Sequence, residues 1–99
     1  MKLNISSLKF DADTKLLDFI QKKTSKLDVF YDKIVDGEAN LKLDNNESRE
    51  NKIVDLKVNI PGATFFASEQ KASFEAATDE AVESIRRQLK RHKGKLKSN

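Results

Sequence analysis

The sequence predicts an α+β fold in two layers, ordered β-α-β-β-β-α, with two parallel helices on one face of a four-stranded mixed sheet. Three observations predict it. Val54, Leu56, Val58 and Ile60 alternate with polar neighbours, the period of a strand buried on one face. Two other segments, from Thr14 to about Tyr31 and from Ser73 to Gly94, space their apolar residues as a helix does. Short alternating runs and turn residues fill the rest of the chain in an order that allows one layout.

Leu3-Asn4-Ile5-Ser6 is the first strand, with Leu3 and Ile5 inward. Asp11-Ala12-Asp13 ends it, and Asp13 is placed to cap the helix that follows. In that helix Leu16, Leu17, Ile20, Thr24, Leu27 and Tyr31 share a face, while Lys15, Lys22 and Lys26 share the outer stripe and Lys23 sits on the shoulder of the apolar face. Asp36-Gly37 breaks the helical pattern, and Ala39, Leu41 and Leu43 alternate as a second strand. Asp44–Lys52 is polar throughout and reads as a hairpin loop. The spacing of Asp44, Asn46 and Ser48 partly matches a calcium loop, but Arg49 stands where that loop needs Gly and Asp55 where it needs Glu. After the third strand, Pro61-Gly62 suits the centre of a type II turn. Thr64–Ser68 returns as the fourth strand, with Phe65 and Ala67 inward. Ser73 caps the last helix, whose core stripe is Phe74, Thr78, Ala81, Val82, Ile85 and Leu89, and Gly94 is a natural stop.

Charge divides this chain. Nineteen Lys and Arg against 16 Asp and Glu give a net +3. Seven of the cations (Arg86, Arg87, Lys90, Arg91, Lys93, Lys95 and Lys97) follow Ser84 with no acid among them, and removing those seven from +3 leaves −4 on residues 1–83. One or two cations complement a helix C-terminus; seven exceed that and point to a polyanion, nucleic acid first, with a solvated helix end or an acidic membrane or protein as the other readings of charge alone. A right-handed β-α-β crossover makes the first two strands parallel, and two hairpins bring the last helix back in the same direction as the first. Lys22, Lys23 and Lys26 then converge with Arg86–Lys93 at one end, and Asp11, Asp13, Glu75, Asp79, Glu80 and Glu83 gather toward the other.

The same residues exclude much. Ninety-nine residues, 37% hydrophobic and 35% charged, make one globular domain, residues 1–99, with a basic tail at 94–99. The absence of Cys removes disulfides and thiolate chemistry and fits a reducing cytoplasm. No apolar run marks a signal peptide or a membrane span. His92 is the sole histidine, with no Ser or carboxylate placed to work with it, and neither a phosphate loop nor a nucleophile elbow occurs. No enzyme, metal site or cofactor is expected, and His92 is read as partly packed at the helix end.

Among RNA-binding modules, a double-stranded RNA-binding domain carries lysines at the start of its last helix, where this chain has Ser73-Phe74-Glu75-Ala76-Ala77. An RRM-type reader needs aromatics on the open sheet face, where Phe66 stands alone. Recognition of phosphates and RNA shape by the helix ends remains.

Leu3-Asn4-Ile5, Lys26-Leu27-Asp28, Phe30-Tyr31-Asp32-Lys33-Ile34, Ala67-Ser68 and above all Arg87-Gln88-Leu89-Lys90-Arg91-His92-Lys93-Gly94-Lys95 resemble the short ribosome hibernation promoting factors, relatives of the bacterial ribosome-associated inhibitor. The resemblance implies the same β-α-β-β-β-α fold. It also implies binding to the small ribosomal subunit and its rRNA in the channel of mRNA and tRNA, in competition with both, and silencing of translation in resting cells. It places RNA-facing residues at Lys23, Lys26, Arg87, Arg91, Lys93 and Lys95, with His92 matching the motif; Lys22, Arg86 and Lys90 join them on charge alone. The chain shows neither the second domain of long members nor the inhibitor's C-terminal extension, so the short type is expected, a cytoplasmic monomer off the ribosome. The alternative is a non-ribosomal module for double-stranded or structured RNA.

Overall fold

Six elements follow one another in the predicted order: β1 (Lys2–Ser7), α1 (Thr14–Phe30), β2 (Asp36–Leu43), β3 (Lys52–Ile60), β4 (Ala63–Lys71) and α2 (Phe74–Lys97). They are seen in a computed structural model that describes residues 1–45 and 49–97, with side chains over 1–45 and 49–94. The sheet order is β1-β2-β3-β4. β1 runs parallel to β2, and the other two pairings are antiparallel, as the crossover and the two hairpins require.

Both helices cover one face of this sheet, and the core lies between the layers. Ala39, Leu41, Val54, Leu56, Val58, Ile60 and Ala67 come from the strands, and Ile20, Thr24 and Leu27 from α1. Ala77, Thr78, Ala81, Val82, Ile85 and Leu89 come from α2. Each fully buried Leu or Ile contributes about 1.5–3 kcal/mol by leaving water. The stripe on α2 includes Ala77, which periodicity alone did not single out. The helix starts are built as expected: Asp13 Oδ1 accepts from the Leu16 N–H at 2.8 Å, and Ser73 Oγ from the Ala76 N–H at 3.1 Å. Phe10 and Phe74 stack at 5.1 Å and join those starts.

The opposite sheet face is polar. Ser6, Asn40, Asp55 and Ser68 stand side by side across four strands. Ser6 bonds Asn40, Ser68 Oγ donates to Asp55 at 2.5 Å, and Lys42 pairs with Asp55 at 2.6 Å. A sheet packed on one side and wet on the other gives the period-2 pattern seen in the sequence.

Two glycines behave differently from their sequence reading. Gly37 does not break the chain between elements but sits inside β2, buried. An added Cβ there would meet Leu3 Cδ1 and the Lys57 carbonyl oxygen at 3.2 Å, so the residue is small because β1 and β3 crowd it. Gly94 does not stop α2, which continues to Lys97. The segment 94–97 is therefore helix and not tail, because glycine costs a helix only about 1 kcal/mol and does not force it to end. Leu43, at the end of β2, is exposed instead of inward. Gly62 does turn the chain, with φ of +84°, next to Pro61. The β2–β3 loop is closed by the Asp44 N–H to the Asn51 carbonyl at 2.8 Å. Asn46, Glu47 and Ser48 lie outside the described residues.

Candidate nucleic-acid interface

Four contacts fix how the helices align. Lys23 of α1 pairs with Asp79 of α2 at 3.3 Å. Further along, Arg86 and Lys93 of α2 lie 4.9 and 4.8 Å from the centre of the Phe30 ring, and His92 meets Tyr31 edge to face. Later residues of one helix meet later residues of the other, so the helices are parallel and their C-terminal ends adjoin. The basic segments read from the sequence are thus brought to one end of the molecule.

They are not all presented alike. Lys93 Nζ donates to the Phe30 carbonyl at 3.3 Å while covering its ring. α1 has no basic residue in its own last turn, so α2 supplies the cation that complements its carbonyl end. Arg86 divides itself between Phe30 and Glu83, 3.5 Å away. Lys23 is held by Asp79 and lies 5.6 Å from the Phe19 ring. These three charges are engaged within the protein. Lys22, Lys26, Arg87, Lys90 and Arg91 are exposed and form no ion pair among the described residues. His92 is half-buried between Tyr31 and Phe65, as its angular position suggested. Lys95 falls within α2, and its side chain lies outside the described residues.

The separation of charge is less complete than the sequence suggested. Asp79, Glu80 and Glu83 line the groove between the helices, about 430 Å³, together with Lys23, Lys26, Phe30 and Arg86. Helix direction alone decides which end a residue nears, but helical phase turns these three acids toward the lysines of α1. The acids that do stay at the far end are those by the helix starts, Asp13 and Glu75. The part of Phe30, a ring beneath two cations, was not read from the sequence. Its signal was a partly apolar position at the end of α1 opposite a basic stretch.

Among the described residues no three or more His, Asp or Glu gather to hold a metal, and no helix is long and apolar enough to cross a membrane. What the geometry offers is a set of uncompensated cations on adjoining helix ends, a surface suited to a phosphate backbone.

A small α+β domain with a basic helix end is the class so defined. The family model described as Sigma 54 modulation protein / S30EA ribosomal protein matches residues 3–97, and the chain belongs to that family. It is 31% identical to the ribosome hibernation promoting factor of Klebsiella oxytoca, over the full length of both. The fold is shared with a ribosomal subunit interface protein from Coxiella burnetii (TM-score 0.83, 21% identity, 95% of this chain and 99% of that one). It is shared also with the N-terminal domain of Protein Y from Thermus thermophilus (TM-score 0.80, 24% identity, 93% and 99%). A second ribosome hibernation promoting factor among its relatives, from Pseudomonas putida, is 28% identical over 99% of this chain and 92% of its own length.

Proposed function

We infer that this chain is a ribosome hibernation factor that binds the small ribosomal subunit, contacts rRNA in the channel of mRNA and tRNA, and silences translation in resting cells. The observation that carries the reading is the free basic surface on the adjoining helix ends, in a chain of this family. Lys22, Lys26, Arg87, Lys90 and Arg91 supply the charge that would meet phosphates. Lys23, Arg86 and Lys93 keep the helix ends together, with Lys95 and His92 completing the basic end. Bound there, the domain excludes mRNA and tRNA by occupying their place. It acts in the cytoplasm, as a monomer off the ribosome.

Co-sedimentation with purified small subunits tests this. The unaltered chain is expected to pellet with subunits at low salt, and mRNA is expected to displace it. Replacing Arg87 and Arg91 by Glu turns two attractions into repulsions without touching the core, and pelleting should fall at least tenfold while thermal unfolding barely moves. A folded double variant that pellets normally would rule out this surface.

A further inference from the structure

Where α2 meets the edge strand β4, Phe65, Gln88, Arg91 and His92 line a cleft of about 200 Å³. Gln88, Arg91 and His92 are spaced i, i+3 and i+4, which sets them on one side of α2. Phe65 comes from the strand. The Phe65 and His92 rings meet edge to face, 5.6 Å apart with 74° between planes. Tyr31 meets the same imidazole at 6.4 Å and 76°. Gln88 Nε2 donates to the Phe66 carbonyl at 3.0 Å and approaches Ser84 Oγ at 3.3 Å. The amide is thereby fixed, and its remaining polar atom, Oε1, is an acceptor. Arg91 is exposed and forms no ion pair among the described residues.

A phosphate would use only the charge of this cleft. Flat rings, a planar guanidinium and a fixed acceptor are what an unstacked base takes up, since bases stack on aromatic and guanidinium faces and donate from their edges. Arg87, one helical turn before Arg91, and the adjacent Lys90 are both exposed and supply charge for the flanking phosphates.

We propose that this cleft receives one unpaired nucleobase of RNA, stacked between the Arg91 guanidinium and the Phe65 ring that His92 holds edge to face, with a base N–H donating to Gln88 Oε1. This rests on the RNA-binding reading above and adds to it a contact made to a base.

The test compares binding of the full chain to a single-stranded RNA oligonucleotide and to an abasic strand of equal length and charge, at one salt concentration. The abasic strand is expected to bind about tenfold more weakly, the scale of one lost base stack. Arg91→Lys keeps the charge and removes the planar surface, so it should bring that ratio close to one, and Phe65→Leu should do the same. Arg91 is exposed, so its variant remains informative if Phe65→Leu fails to fold. Equal binding of the two strands, binding of neither, or a ratio that Arg91→Lys leaves unchanged overturns the proposal. Pelleting with small subunits is read separately. A chain that pellets but does not distinguish the strands keeps the ribosomal reading and loses the cleft; one that distinguishes them but does not pellet does the reverse.

Discussion

Thr24 lies fully buried on the inner face of α1, and its hydroxyl oxygen has no hydrogen-bond partner. A buried polar atom left without a partner carries its desolvation cost uncompensated, about 1–3 kcal/mol. Valine has the same branched shape and a similar helix propensity. Thr24→Val should therefore stabilise the protein by about 1 kcal/mol, seen as a higher midpoint in urea or thermal unfolding. Thr24 faces the core while its neighbours Lys22 and Lys26 are exposed, so binding to small subunits should not change. A lower midpoint would mean that the hydroxyl is satisfied in solution. Lys93 shows the opposite relation between residue and role. The family resemblance marks it as an RNA contact, and within the free protein its ammonium also reaches the carbonyl end of the neighbouring helix. Charge says that a residue is cationic; only the partner's carbonyl says where the cation is used.

At the scale of elements, the two misread glycines predict opposite outcomes. Gly37→Ala places a methyl group 3.2 Å from the Lys57 carbonyl and from Leu3 Cδ1, near the start of a strand paired on both sides. The Leu3 side chain can turn aside, but the Lys57 carbonyl cannot withdraw without disturbing β3, so a loss of about 1–3 kcal/mol is expected. Gly94→Ala meets nothing within 4 Å in a helix that already passes through it, and should gain about 0.5–1 kcal/mol. Unfolding curves for both variants check the pair, and two changes of the same sign would contradict the placement of one of them. Strand and helix identities were legible because burial on a single face imprints periods of 2 and 3.6, clearest at Val54–Ile60 and along Ile85 and Leu89. Crowding at Gly37 was not legible, since it depends on a strand 30 residues away in the chain. Continuation of α2 past Gly94 was not either, because a glycine that ends a helix and one that helix propagation overrides look alike. The charge-end placement was legible from topology, whereas the turning of Asp79, Glu80 and Glu83 into the inter-helix groove depends on the relative phase of two helices.

For the molecule as a whole, the consequence of parallel helices is that cations about 60 residues apart in the chain lie at one end of the molecule. Five of them, Lys22, Lys26, Arg87, Lys90 and Arg91, are exposed and free of ion pairs among the described residues. If each neutralises one phosphate, the logarithm of the binding constant should fall with the logarithm of salt with a slope of about −3.5 to −4.5. Lys22→Glu with Lys26→Glu changes only α1, at positions that make no contact with the RQLKRHK stretch in sequence. If the helix ends form one surface, this variant should lose affinity and flatten the slope by about 1.4–1.8, the share of two phosphate contacts. Lys23 is left alone, because reversing it would set a Glu against Asp79 and confuse binding with folding. The measurement is subunit pelleting over a range of potassium chloride, beside thermal unfolding of the variant. A variant that is folded and retains the full slope would mean that α1 takes no part in the interface, leaving α2 to bind alone. A flat dependence in the unaltered chain would reject phosphate contacts as the source of affinity, and with them the electrostatic basis of the site.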